Sequence, residues 1–267
     1  MTDFKTQTER LDYILKYLID ELEYPNNKMQ IPSTYKEKRF LMKSLLNIRP
    51  PKEISDEFIL VQDEFLKNEA EEKGIIDVYS LPAKDKISVW QGDITRLKVG
   101  AIVNAANSEM LGCFQAGHMC IDNVIHTASG VQLREECFAL MQEKRRKFDD
   151  PDYVEPTGKA MITKGYNLPA EYVIHTVGPI VYGNLTESLK NDLANCYKSV
   201  LSCCIENKIK TVAFCCISTG VFCFPNEEAG KIAVKTVKEF LKKDSFIERV
   251  VFNVFKDLDL EIYNSLV

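Results

Sequence analysis

The chain has 267 residues, 45% of them hydrophobic and 27% charged, a globular balance with room for one large domain or one domain plus an attachment. A net charge of −5 with no long basic run excludes the electrostatic footprint of a generic nucleic-acid binder, so no nucleic-acid partner is expected. No apolar stretch is long enough to span a membrane or to act as a signal peptide, which makes the cytoplasm the expected compartment and a membrane partner unexpected.

Nine cysteines, an odd number in a chain of this size with no secretory signal, are expected as reduced thiols, some buried and some metal-binding. A small phosphate ligand remains compatible with the acidic charge, because backbone amides and helix N-termini attract anions without carrying net charge.

Residues 1–80 read as a helical extension. Leu11, Ile14, Leu15, Leu18 and Leu22 recur on one helical face, and Pro25 with Asn26 and Asn27 ends that run. Thr34 followed by Glu37 has the spacing of a capping box, opening a second helix that carries Phe40, Leu41 and Leu45 until Pro50 and Pro51 break it. A third helix over 55–73 carries Ile59, Val61, Phe65 and Leu66. These helices hold no His or Cys, so the expectation is an appendage docked on the main domain.

From about Lys86 short apolar runs alternate with helical segments, the pattern of an α/β sandwich over 81–267. Strands are expected at 87–90, 101–104, 161–163, 172–176, 212–216 and 250–255, and helices at 121–128, 131–147, 187–206 and 227–242. Residues 144–156, charged and flanked by Pro, read as a surface loop. No internal repeat is present.

Four stretches in this part carry chemistry. The first is Gly92-Asp93-Ile94-Thr95 after a strand, where an acid can accept from a ligand amine in the sheet crevice or simply cap a turn. In the second, Asn104-Ala105-Ala106-Asn107, two asparagines either grip sugar hydroxyls or build a tight turn. The third is Cys113-x4-His118-x-Cys120, followed by Asp122 and His126. Thiolate, imidazole and thiolate form a zinc-like set of three, leaving the fourth position open as catalytic sites do; buried thiols around a core histidine are the alternative. His126 is expected as a satisfied structural histidine rather than a fourth ligand. The fourth stretch, Ser218-Thr219-Gly220-Val221-Phe222, lies between strand and helix, where amides can face a diphosphate.

In their order, each after an apolar strand, these stretches resemble the macrodomain family from about Ile87 to the C-terminus. The runs Ile121-Asp122-Asn123-Val124-Ile125-His126, Gly158-Lys159-Ala160 and Tyr172-Val173-Ile174-His175-Thr176-Val177-Gly178-Pro179 fit as well. The resemblance implies a three-layer α/β/α sandwich with a mixed sheet and ADP-ribose at the strand ends. It places Asp93 at the adenine amine, the Ile94 backbone at the ring, Phe255 packed on the adenine and 218–222 around the diphosphate. Asn107 and Asp122 match the distal-ribose and catalytic positions. Within the family the chain is similar to a zinc-containing microbial branch with a helical N-terminus and Cys113, His118 and Cys120 as ligands.

Two departures accompany the match: residues 113–120 stand where most macrodomains carry a glycine run, and Cys223 stands where many relatives have Gly. The implied activity is zinc-dependent removal of mono-ADP-ribose from Asp or Glu side chains of a modified protein. A non-catalytic ADP-ribose reader and a hydrolase of free derivatives such as O-acetyl-ADP-ribose are the alternatives.

Overall fold

A computed structural model describes residues 4–22 and 29–267; the expected helix stop at Pro25, Asn26 and Asn27 lies outside them. The chain begins with α1 (Gln7–Asp20), α2 (Tyr35–Ile48) and α3 (Asp56–Lys73). Each starts at a hydroxyl cap: Thr6, Thr34 and Ser55 accept from the amides of Glu9, Glu37 and Phe58. In α1 the Glu9 carboxylate also accepts from the Thr6 amide at 2.9 Å, closing a full capping box.

The three helices bury their own apolar core, built on Leu11, Ile14, Leu15 and Leu18 with Met42, Leu45, Phe58 and Phe65, and Val131 of the main domain joins it. Phe40 is not part of that face: it is 58% exposed, and Met42 takes the inward position. In α3 the inward ring is Phe58, with Ile59 half-buried beside it. Bidentate pairs hold the bundle edges, Arg39 on Glu69 at 2.6 and 2.8 Å and Arg49 on Glu21 at 2.8 and 3.0 Å.

The main domain runs β1 (Ile76–Asp77), β2 (Ile87–Gln91), β3 (Leu97–Lys98), β4 (Ala101–Ala106), α4 (Ile121–Ser129), α5 (Val131–Phe148), β5 (Ala160–Lys164), β6 (Tyr172–Val177), α6 (Glu187–Glu206), β7 (Thr211–Phe214), α7 (Asn226–Leu241), β8 (Arg249–Val254) and α8 (Asp257–Leu266). Six strands form one sheet in the order β2-β8-β7-β4-β6-β5, parallel except for β5 against β6; β1 and β3 form a separate parallel pair. Strands covered on both faces need mostly apolar sequences, and β4, β7 and β8 supply them, with buried Asn104 and Asn253 the polar exceptions near their C-terminal ends. One helical layer is α6, α7 and α8; α4 and α5 form the other, with α2 against α4. This is the expected three-layer sandwich with a mixed sheet and helical extension.

Four details differ from expectation. Strand β7 stops at Phe214, and Phe255 follows β8 instead of closing it. Helix α8 was not anticipated, although Tyr263 is buried against Phe252 with ring centroids 5.0 Å apart. The loop after α5 is anchored, since Glu155 is buried and paired with Lys144. Among the described residues no helix is long and apolar enough to cross a membrane.

Candidate active site

Strands β2, β8, β7 and β4 are parallel neighbours, so their C-terminal ends lie side by side along one edge of the sheet. That edge gathers Asp93, Phe255, residues 218–222 and the loop from Asn107 to Cys120, which is where open α/β sheets bind ligands.

At the β2 end, Asp93 Oδ1 accepts from the Thr95 amide at 3.0 Å and the Thr95 hydroxyl at 2.7 Å. Asp93 therefore caps the short 3-10 turn of Ile94–Arg96, and its second oxygen has no protein donor among the described residues. The Ile94 side chain is core, and its carbonyl accepts from the Leu97 amide. Phe255 is 78% exposed at the β8 end, its carbonyl accepting from Gln91 Nε2 at 3.2 Å.

After β7 the chain turns through left-handed backbone at Ser218 (φ 65°) and Cys223 (φ 56°). The left-handed conformation at Cys223 is one that glycine adopts more easily. Amides of Cys223 and Phe224 close the loop onto Gly220 and Ser218 carbonyls at 3.1 and 3.0 Å. The Phe222 carbonyl accepts from the Val181 amide at 2.9 Å. The amides of Gly220, Val221 and Phe222 donate to no protein acceptor among the described residues, a run of donors suited to an anion. Thr219 turns its hydroxyl inward to the Cys216 carbonyl at 3.0 Å, Val221 is exposed, and the buried Ser218 hydroxyl has no partner.

Both asparagines of this stretch, Asn104 inside β4 and Asn107 just after it, are engaged by protein partners. Asn107 closes a turn, donating to the Gly112 carbonyl at 2.9 Å and accepting from the Glu109 amide at 3.0 Å. Asn104 is fully buried, and its amide donates to Asp122 Oδ1 at 2.8 Å and lies 3.1 Å from His175 Nδ1.

The loop that follows brings Cys113, His118 and Cys120 together, their ligand atoms all within 4.8 Å of one another and Cys113 Sγ 3.5 Å from His118 Nδ1. Tetrahedral zinc with bonds of about 2.3 Å to sulfur and about 2.0 Å to nitrogen needs ligand atoms roughly 3.5–4 Å apart, so the donor set fits a small shift of the half-buried loop. Cys120 is also the N-cap of α4, its sulfur accepting from the Asn123 amide at 3.5 Å, a position that favours thiolate. Against this, burial pushes the thiol up to about 11, so a cation is what makes the anionic ligand favourable here.

Sequence reasoning missed the residues that hold this loop. Buried Asn123 donates to the Gln115 and His118 carbonyls at 3.2 and 3.3 Å. Arg134 of α5 donates to the Leu111 carbonyl at 2.8 Å, lies 4.6 Å over the Phe114 ring and reaches the Leu46 carbonyl at the end of α2 at 2.8 Å. Asn123 sat in view inside a matched motif, but nothing local marks Arg134.

Beneath the loop lies a buried polar network. Asp122 is 5% exposed, with Oδ1 turned to Asn104 and 3.4 Å from His126 Nε2. Among the described residues neither ring nitrogen of His126 has a hydrogen bond, so the expected satisfied histidine is instead an unsatisfied one. His175 is 2.9 Å from the Thr163 hydroxyl through Nε2, completing a chain from Asp122 to Thr163.

Burial raises the Asp122 carboxyl to about 6, against the Asn104 hydrogen bond and the Arg134 charge. The same burial holds His126 well below its ordinary value and lowers His175 to about 3. Unfolding therefore takes up two protons on histidine below about pH 6.5, while folded Asp122 takes one between its unfolded value near 4 and about 6. These three groups contribute a loss of about 1.4 kcal/mol of stability for each pH unit of fall near pH 5, one net proton, and Asp122→Asn should steepen the metal-free protein's slope by about as much again. Denaturant titrations at several pH values between 7 and 5 measure both slopes; equal slopes in the two proteins would contradict the raised carboxyl.

A family model described as Macro domain matches residues 103–233. The chain is 47% identical to a protein-ADP-ribose hydrolase of Treponema medium over 98% of this chain and 99% of that protein. It is 46% identical to a protein-ADP-ribose hydrolase of Staphylococcus aureus (strain MSSA476), over 99% of this chain and 97% of that protein. Among solved structures it is similar to the Trypanosoma brucei macrodomain in complex with ADP-ribose, with a TM-score of 0.63 and 27% identity, covering 80% of this chain and 91% of that one.

Proposed function

Since the chain belongs to the macrodomain ADP-ribosyl hydrolase family, we propose that it removes mono-ADP-ribose from acidic side chains of modified proteins in the cytoplasm, with zinc held by Cys113, His118 and Cys120. The observation that carries this reading is the placement of a three-donor set beside Asn107 and Asp122, on the same sheet edge as the unpaired amides of 220–222. A reader module needs the amides and Asp93 but has no use for a metal set with an open position.

In this reading the free oxygen of Asp93 accepts the adenine amine, the Ile94 backbone contacts the ring and Phe255 packs on its face. The Gly220, Val221 and Phe222 amides hold the diphosphate, with Ser218 and Thr219 shaping the turn. Asn107 fixes the turn that presents the distal ribose to the loop, keeping its remaining lone pair and N–H for sugar hydroxyls. Asp122 keeps one oxygen on Asn104, which orients the carboxylate, and its other oxygen, without a protein donor among the described residues, is available to a ribose hydroxyl or a water. A zinc ion in the loop supplies Lewis acidity, which polarises an oxygen or lowers the pKa of water. The acidic linkage is taken from the family resemblance, and it suits a site in which a carboxylate leaves without needing a proton.

The test uses two substrates, a protein mono-ADP-ribosylated on Glu or Asp and one modified on Arg, with release of free ADP-ribose followed with and without a chelator. Release from the acidic linkage alone, lost with chelator and restored by zinc, is expected. Release unaffected by chelator would remove the metal from the reaction, and equal release from both would remove the specificity.

A further inference from the structure

We propose that Lys43, on α2 of the N-terminal extension, is the positioning and charge-balancing residue of the Cys113, His118 and Cys120 site, so that this helix is part of the metal centre. The proposal rests on the metal reading above.

Helix α2 is seated directly on the loop. Gly117, midway between the ligands, has left-handed backbone (φ 69°), and a Cβ there would come within 2.8 Å of Phe40 Cζ and 3.2 Å of Ser44 Oγ. That contact accounts for Phe40 standing off the apolar core of its own bundle. One turn on, the Lys43 ammonium touches Sδ of Met119, the residue between His118 and Cys120. Asn47, a further turn along, donates to the Thr127 hydroxyl of α4 at 3.3 Å. Four successive positions of one helix face therefore line the metal loop and the helix that Cys120 caps.

Lys43 is 8% exposed, yet no carboxylate pairs with it among the described residues. An ammonium withdrawn from water without a counter-charge is costly, and its neighbouring source of negative charge is the Cys120 thiolate that metal binding creates. Arg134, also buried, holds the Leu111 carbonyl and lies over the Phe114 ring, on either side of the other thiol, Cys113. Two thiolates and a neutral imidazole cancel a divalent cation and Asp122 offsets one of the two basic side chains, which leaves the centre with one surplus positive charge. Such a centre favours an anion alongside it, and the carboxylate freed from a modified Asp or Glu is one. Lys43 acts through the ligands and the field around them, and no contact with the reacting atoms is required.

The experiment compares full-length wild type with Lys43→Met and Lys43→Arg, measuring zinc affinity by competition with a chelating indicator at fixed pH and salt. Melts of the metal-free proteins check the fold. One partly screened charge at close range corresponds to about a tenfold loss of zinc affinity in Lys43→Met, with Lys43→Arg within about twofold of wild type. Wild-type affinity in Lys43→Met would overturn the proposal. Equal losses in both variants would also overturn it, assigning the effect to packing against Met119 rather than to charge. If wild type itself binds no zinc, this proposal falls together with the metal reading, while ADP-ribose binding, measured separately, stands or falls on its own.

Discussion

Cys113→Ser, His118→Ala and Cys120→Ser are each expected to lose the metal and to lower turnover of an ADP-ribosylated protein by roughly 10²–10³-fold, the scale of removing one electrophilic stabiliser from an active site. Each should nevertheless melt cooperatively. The three ligands come from one half-buried loop, whereas the main core is built on β4, β6, β7 and β8 with α6 and α7 packed over them. A zinc finger without metal has no such core and unfolds. The loop keeps two supports independent of the metal, Asn123 on the Gln115 and His118 carbonyls and Arg134 on the Leu111 carbonyl. Metal content by mass spectrometry, thermal melts and release of ADP-ribose test the three parts together. Global unfolding on chelation would make the site structural, and full turnover in a metal-free variant would make it incidental.

What was legible in the sequence follows the range of the interactions involved. The three ligands lie within eight residues, so their chemistry showed at once. The strands were legible because β4, β6, β7 and β8 are largely buried and carry short apolar runs such as 101–103, 173–174, 212–214 and 250–252. The roles of the two asparagines were not, because turn and ligand geometries use the same residue types. Only register decides: Asn104 pairs with His175 across β4 and β6, which points its amide into the core beside Asp122. Lys43 and Met119 are 76 residues apart, and no local pattern on α2 distinguishes a lysine that reaches a metal loop from one that faces water. Helix α8 escaped because ten residues at a chain end, with only Asp259 and Tyr263 fully buried, carry a weak apolar period.

Gly178→Ala is expected to be the most damaging small change to ligand binding. A Cβ at 178 would fall 2.1 Å from Ser218 Oγ and 2.9 Å from Ile217 Cγ2. Ser218 is buried and left-handed, with its carbonyl holding the Phe224 amide, and Ile217 also blocks the methyl, so making room presses on the turn that aims the Gly220, Val221 and Phe222 amides. For wild type, ADP-ribose at 100 times its Kd should add about 2.7 kcal/mol. In a domain of this size that raises Tm by roughly 5–10 °C. AMP should give much less, lacking the second phosphate and the distal ribose.

Gly178→Ala should weaken ADP-ribose at least about tenfold, about 1.4 kcal/mol, while still melting cooperatively. Gly220→Ala separates the loop's shape from its closeness to the ligand. A methyl there meets no protein atom within 4 Å, so the unliganded melt should match wild type. Any loss of ADP-ribose affinity in that variant then measures how near the backbone comes to the diphosphate. Calorimetry on the two variants decides the matter, and wild-type ADP-ribose affinity in both would remove residues 218–222 from the binding site.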